Sequence, residues 1–473
     1  MEQILKINGV INGIVWGWPM LVLLIGTGIL MTVVLKGIQF TKFNYIIKNT
    51  LFAMFKKPTG DHAGEVTPFQ AVSTALAATV GTGNIAGVAL AIAVGGPGAV
   101  FWMWLCALIG MATKYSEVVL AITYREVADD GSISGGPMYY IKNGLHIPAL
   151  AKTFALFGML ASFGIGNMTQ SNSIAQSLNQ TFNVSPMIVG IVFAILTGIV
   201  ILGGIKRIGV VTERLVPFMA AFYIIGAMVI IILNIGKVPA AFGLIFSSAL
   251  TGHAAVGGFA GSTLKLCMKM GVARGVFTNE AGLGSAPIAH AAAMVDHPVR
   301  QGIWGVFEVF MDTIVICTMT ALVVMVSGQW SSGLQGAALT TAAFEAGFKG
   351  GGLIVAIGLM LFAFSTILGW AYYGERCAEF LLGPKSVMIY RLIYTPVVLV
   401  GAIGGLEQIW AITDTLNGLM AIPNLVGLMM LNGVVVIMTK DFFKNPDKIR
   451  KDPKEYLSLL PKNRSFDAAH LKK

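Results

Sequence analysis

Two runs of the chain join glycine to groups that bind ions or polar ligands. The first is Ala78-Thr79-Val80-Gly81-Thr82-Gly83-Asn84-Ile85-Ala86-Gly87; the second is Phe277-Thr278-Asn279-Glu280-Ala281-Gly282-Leu283-Gly284-Ser285-Ala286-Pro287. A glycine in a helix interior is less stable than alanine by up to about 1 kcal/mol, so both runs predict a helix interruption. An interruption strips N–H and C=O groups of their helical partners. Converging amides then make an anion site, and converging carbonyls a cation site. Close helix packing is the other physical use of such glycines. The second run also carries a carboxylate, Glu280.

The elements that must position these groups are apolar blocks. Of the 473 residues, 56% are hydrophobic, 11% are charged and 57 are glycine, against about 25% charge in a soluble domain. Blocks at 14–35, 68–93, 97–122, 153–178, 186–203, 214–235, 267–294, 301–327, 351–381, 387–403 and 410–438 number eleven, most near the ~20 residues that cross a hydrocarbon core. The fold class is therefore an all-α polytopic membrane protein. A soluble enzyme, a nucleic-acid binder and a secreted disulfide scaffold are excluded. Cys106, Cys267, Cys317 and Cys377 lie far apart without CxxC or Cys/His ligand spacing and are expected as small core residues. Met1 to Val15 carries Glu2 and Lys6 and no small-residue cleavage motif, so it is not expected to be a removed signal peptide.

Basic residues set the expected orientation, because short loops rich in Lys and Arg stay in the cytoplasm. With the N-terminus outside, alternation puts 25 of the 32 basic residues inside, ten of them in the tail from Lys440; Lys6, Lys237, Lys265 and Lys349 fall outside. The expectation is a multi-pass protein of the cell membrane with a cytoplasmic C-terminus. The net charge of +10 then reports topology and calls for no nucleic-acid partner. Segment 38–57 alternates aromatic and aliphatic residues with Lys, as suits a helix in the cytoplasmic interface or a connector packed on the bundle.

The two glycine runs are 199 residues apart, measured from Thr79 to Thr278. Setting the first span aside leaves ten, divided five and five, with an interrupted helix opening each half. Because five is odd, the halves insert in opposite directions. Such matched interruptions point to an inverted-repeat secondary transporter, with substrate and ion held at the bilayer midplane. The expected divisions are 1–66, an N-terminal spanning helix and an interfacial helix; 67–236 and 237–438, the two halves; and 439–473, a basic cytoplasmic tail.

At TPFQAVSTALAATVGTGNIAGVA (67–89), GGPGAVFWMWLCALIGMATKYSEVVLA (95–121), GGPMYYI (135–141) and GVFTNEAGLGSAPIAHAAA (275–293), the sequence resembles the alanine or glycine:cation symporter family, within the superfamily of the leucine-transporter fold. The resemblance covers roughly 1–445 and implies sodium- or proton-coupled uptake of small amino acids, with sodium as co-transported ligand and no cofactor. It implies that amides of Thr82 and Gly83 meet the substrate carboxylate, and that carbonyls of Ala77 and Val80 with hydroxyls of Ser365 and Thr366 surround a sodium ion. Hydroxyls in membrane helices otherwise bond their own i−4 carbonyl. Phe277 and Thr278 resemble the pair at the second break, with the Phe277 carbonyl on the substrate ammonium. The Phe277 ring and Trp370 are expected to limit the side-chain pocket, or else to be core aromatics. Neurotransmitter-type relatives place a tyrosine on the carboxylate, but the corresponding span here offers Asn167, Gln170 and Asn172; Gln170 and Asn84 are the expected polar contacts.

Ionisable groups inside spans are expensive and are usually paired or functional. Lys114 and Glu117 in one span, and Glu308 and Asp312 in its equivalent in the other half, stand at depths that let Lys114 reach Asp312 or Glu308. A structural ion pair is expected there. Glu280, inside the second break, is expected to cap freed amides, bind the cation indirectly or carry a proton. In a proton-coupled carrier Glu280 or Asp312 would hold the proton, and Ser365 and Thr366 would only pack. An enzyme would need a nucleophile, base and orienting group, an HExxH motif or a phosphate loop, none of which is present, and the six histidines are scattered. A channel would show a filter or charge ring.

Overall fold

A computed structural model describes residues 2–54, 64–127, 132–251, 264–404, 407–450 and 452–465. The spanning elements, in chain order, are α1 (Trp18–Val34), α2 (Pro68–Thr79), α3 (Gly83–Gly95), α4 (Ala99–Thr123), α5 (Pro148–Phe182), α6 (Pro186–Ile201) and α7 (Gly204–Leu233). They continue with α8 (Leu264–Asn279), α9 (Ala286–His290), α10 (Pro298–Val326), α11 (Gly352–Leu382), α12 (Ser386–Ile403) and α13 (Glu407–Lys444). Every expected block falls on one of them. Among the described residues, eight helices are long and apolar enough to cross a membrane, or nine when α2 and α3, bent by 50°, count as one span. The remaining two blocks fall on the shorter α6, of 16 residues, and on the divided pair α8 and α9.

Local chemistry explains where the broken helices start and stop. Thr67 and Gln70 form a reciprocal capping box ahead of α2, with Pro68 in the first turn, satisfying two of the amides a helix start leaves unbonded. Helix α2 ends where Val80 turns to extended backbone (φ −77°, ψ 90°) before Gly81. After α8 the chain passes through Glu280 (φ 55°), Gly282 (φ 93°) and Gly284 (φ 86°). A Cβ on Gly282 would lie 2.7 Å from Leu24, and one on Gly284 2.7 Å from Pro137. Glycine is therefore required at both positions, by backbone angle and by space. The beginning of α2 and the end of α9 are tied by a parallel bridge between Val66 and Ala293, with Glu65 and Val66 amides on the Ala292 carbonyl and the Met294 amide on the Val66 carbonyl.

Helices α4 and α10, equivalents in the two halves, pack along each other, and α8 also lies on α4. Outside this pair, α5 packs on α11 and α13, and α6 on α12. Five-residue and eight-residue π segments interrupt α5 at Gly164–Met168 and α10 at Phe310–Cys317, and a third opens α3 at Gly83–Gly87. Such widened turns concentrate at functional sites.

Helices Val238–Thr251 and Gly336–Gly347 fall between the expected blocks; at 14 and 12 residues they are too short to span. The expected interfacial segment is Ile38–Thr41, Phe43–Asn49 and a 3-10 turn Leu51–Ala53. It buries Ile38 and Ile46 while exposing Phe40 and Phe52. Residues 55–57 of that segment, and Lys451, Lys472 and Lys473 of the tail, lie outside the described residues. All four cysteines are buried and free.

Candidate functional site at the two helix breaks

The first break releases the carbonyls that a cation would need. In an uninterrupted helix the Gly81 amide would bond the Ala77 carbonyl and the Asn84 amide the Val80 carbonyl. Here the Gly81 amide donates to Asn84 Oδ1 at 2.9 Å, and the Asn84 amide to the Gly81 carbonyl at 3.2 Å. The Ala77 carbonyl accepts the Ser365 hydroxyl instead, at 3.0 Å, from α11 across the core. Ser365 shares its proton with its own Phe362 carbonyl at 2.8 Å, and Thr366 donates to that carbonyl at 2.9 Å. The expected set of Ala77, Val80, Ser365 and Thr366 is thus gathered where α2 ends against α11. Thr82 and Gly83 stand at the start of the second half-helix, with no preceding turn for their amides to bond.

The second break does the same. The Ala281 amide, which would have bonded the Phe277 carbonyl, donates to Asn279 Oδ1 at 3.0 Å. The Gly282 amide, due to the Thr278 carbonyl, donates to Glu117 Oε1 of α4 at 3.0 Å. Asn424 of α13 holds that same carboxylate oxygen at 2.6 Å and the Gly282 carbonyl at 2.9 Å, and receives the Tyr140 hydroxyl. Asn279 and Glu117 therefore do the capping foreseen for Glu280. Glu280, itself buried, accepts from the Ser285 hydroxyl and from Trp370 Nε1 at 3.1 Å.

Asn84 links the two breaks. Its Nδ2 donates to Asp312 Oδ1 at 2.6 Å and lies 3.3 Å from Thr278 Oγ1, which in turn donates to Asp312 Oδ2. Thr313 Oγ1 adds a further hydrogen bond to Asp312 at 2.7 Å, and receives Asn279 Nδ2 at 3.1 Å. All are buried. Asn84 is thus committed to the framework, while Gln170 is not. Gln170 Nε2 donates to the Ile165 carbonyl at 3.1 Å, leaving Oε1 buried with no partner among the described residues. That oxygen faces Gly81, where an added Cβ would lie 3.8 Å from it and 2.6 Å from Thr366 Oγ1. On the other flank, a Cβ on Gly83 would meet Thr278 Cβ at 3.2 Å and the Phe277 ring at 3.3 Å. Trp370 is buried against Gly166 and edge-on to Tyr373; the half-buried Phe277 lies under Arg274, whose guanidinium is 5.6 Å from its ring centre.

Lys114 joins Glu308, not Asp312: Nζ is 3.4 Å from Glu308 Oε1, and both side chains are fully buried. Glu308 Oε2 is 2.9 Å from His290 Nε2, and His290 Nδ1 is 2.8 Å from Gln301. His290 and Gln301 escape a sequence reading because His290 and its partners Glu308 and Gln301 sit on different helices, α9 and α10, and only the fold brings them together. Asn279 was legible in principle, two residues ahead of an amide that the second run must free.

Two interrupted helices, crossed at Gly83 and Thr278 and backed by hydroxyl-bearing α11, define a secondary transporter of the inverted-repeat helical class. The structure is similar to that of MhsT in complex with L-phenylalanine, with a TM-score of 0.56 at 13% identity, covering 80% of this chain and 99% of that one. The model of the "Sodium:alanine symporter family" matches residues 1–456, and the chain belongs to that family. It is 52% identical over 460 residues to the "Sodium/alanine symporter AgcS" of Methanococcus maripaludis, covering 96% of this chain and 99% of that one. It is 37% identical over 473 residues to the "Probable sodium/glutamine symporter GlnT" of Bacillus subtilis, covering 99% and 96%. The protein is a multi-pass membrane transporter of amino acids and not an enzyme.

Proposed function

We propose that the protein drives alanine and glycine into the cell with sodium by alternating access. The observation that carries this reading is the release of four carbonyls, Ala77 and Val80 at one break and Phe277 and Thr278 at the other, by diversion of three of their amide partners to side chains and of the Asn84 amide to the Gly81 carbonyl. Sodium, a hard cation, lies among the Ala77 and Val80 carbonyls and the Ser365 and Thr366 hydroxyls. On its arrival Ser365 turns its proton from Ala77 wholly to Phe362 and offers the ion a lone pair. The substrate carboxylate takes the Thr82 and Gly83 amides, and its ammonium takes the Phe277 carbonyl and the unpartnered Gln170 Oε1. Phe277 and Trp370 wall the side-chain space. The repeat halves are residues 67–236 and 237–438, and the termini lie as the basic residues dictate, outside and cytoplasmic.

A proton-coupled reading has its own support. Glu280 and Asp312 are buried carboxyl groups in and beside the breaks, and a Bacillus subtilis relative at 36% identity is named "Putative sodium/proton-dependent alanine carrier protein YrbD". Uptake into proteoliposomes of one labelled amino acid at a time, under an imposed sodium gradient or an imposed proton gradient, separates the two. Accumulation of alanine that needs only the proton gradient would overturn the sodium assignment.

A further inference from the structure

A groove of about 310 Å³ opens between the ends of α1 and α13, far from the breaks. Its walls include Val34 and Val436, and Lys36, Lys42 and Lys440 line it as well. Both helices cross the apolar layer, so their common end marks the level at which hydrocarbon gives way to headgroups. The chain leaves α1 through Lys36 and Gly37, both left-handed (φ 54° and 61°), and then runs as the short helices beginning at Ile38. Val33, before the groove, and Phe40, after it, are exposed, at 68% and 56%. The groove therefore has lipid-facing apolar surface on both sides.

The three lysines are all exposed, and among the described residues none has a carboxylate within ion-pair distance. The nearest acid in sequence, Asp441, is taken by Arg450 at 3.0 Å. Lys42 is held in place rather than free to swing, its ammonium 5.0 Å from the Phe443 ring centre. Three uncompensated positive charges over an apolar slot at the membrane edge match one kind of molecule: an amphiphile with an anionic head and a hydrocarbon tail.

We propose that this groove binds an anionic phospholipid, its phosphodiester among Lys36, Lys42 and Lys440 and an acyl chain along Val34 and Val436. The assignment rests on α1 and α13 crossing the bilayer and not on which solute or ion is carried. Each lysine near a membrane surface favours an anionic headgroup by roughly fivefold, so three favour it on the order of 100-fold.

Native mass spectrometry of the full-length protein, titrated with phosphatidylglycerol or with phosphatidylcholine of the same acyl chains, reads the preference directly. The unaltered protein should retain phosphatidylglycerol far more than phosphatidylcholine. Lys36→Gln/Lys42→Gln/Lys440→Gln should abolish the difference, whereas Lys152→Gln/Lys206→Gln/Lys385→Gln, removing three exposed lysines elsewhere, should keep it. Val436→Trp, which fills the slot without changing charge, should also lose the lipid. Glycerol phosphate, the headgroup without tails, should not compete. Retention that survives the first triple and the tryptophan, retention lost equally in both triples, or displacement by glycerol phosphate would overturn the proposal, the last in favour of a free-anion site.

Discussion

Replacing Gly81 with alanine puts one methyl group into the space where substrate and ion would meet. The new Cβ would lie 2.6 Å from Thr366 Oγ1, short by 0.8 Å of the 3.4 Å at which ordinary contact begins. Relief requires Thr366 to turn away, breaking its 2.9 Å hydrogen bond to the Phe362 carbonyl, or α11 to retreat. Overpacking of this kind costs about 1–3 kcal/mol, and the lost hydrogen bond about 0.5–1.5 kcal/mol more. If alanine binding must restore the unaltered arrangement, the combined ~1.5–4.5 kcal/mol corresponds to a loss on the order of 10- to 2,000-fold in alanine affinity. Gly87 supplies the comparison, since it lies in the same half-helix and a Cβ there meets nothing within 4 Å. Gly87→Ala should bind like the unaltered protein and be as stable or slightly more so, alanine being the better helix former. The assay is equilibrium binding of labelled alanine to purified protein in saturating sodium, with size-exclusion profiles confirming that each variant is folded. If Gly81→Ala and Gly87→Ala bind alanine equally well, the space beside Gly81 is not part of the site.

Four further outcomes follow from the same geometry. Ser365→Ala/Thr366→Ala should raise the sodium concentration for half-maximal uptake far more than it lowers protein abundance; an unchanged sodium requirement in the well-expressed variant favours proton coupling. Trimming Phe277 to alanine or Trp370 to phenylalanine should let valine or leucine compete with labelled alanine, because burying a methyl gains only about 0.8 kcal/mol while exclusion by a packed wall is worth more; competition still confined to alanine and glycine would place the wall elsewhere. Lys114→Met leaves Glu308 in the core with His290 as its remaining partner and should lower the thermal unfolding temperature, by up to the ~3–5 kcal/mol of a broken buried pair, and adding Glu308→Gln should restore part of the loss; a single variant as stable as the parent would show that the pair holds little. Reporter domains fused after Lys57 and after Lys444 should both score cytoplasmic, and an external score for either contradicts the orientation drawn from the basic loops.

Much of the architecture was legible because membrane crossing imposes a length and a composition that show in one dimension. The blocks at 97–122 and 351–381 differ by only a few residues from α4 and α11. The two short helices at 238–251 and 336–347 left no such mark, since at 14 and 12 residues neither is long enough to cross. The breaks were legible through the cost of glycine in a helix interior, but the left-handed backbone at Gly282 and Gly284 and the way the breaks are stabilised were not. Asn84 and Asp312 are 228 positions apart and Ser365 and Ala77 288, and only packing brings them together. Glu280 illustrates the limit: a carboxylate at a helix break was expected to cap amides. Glu117, from another helix, reaches the Gly282 amide and leaves Glu280 to Ser285 and Trp370.

The backbone bridge at Val66 and Ala293 bears on how the machine can move. Hydrogen bonds from Glu65, Val66 and Met294 stitch the entry of the first broken helix to the exit of the second, and Arg125 clamps the seam with bonds of 3.0 and 2.7 Å to the Ala291 and Ala293 carbonyls. Parting the two strands would forfeit all of these at once in a buried place where water offers little replacement. A passage that opened through the seam would therefore be strongly opposed. The start of the first broken helix and the end of the second are thereby tied to each other, so any motion that carries one is expected to carry the other. A route for solute on that side would then be expected to run beside the seam rather than through it.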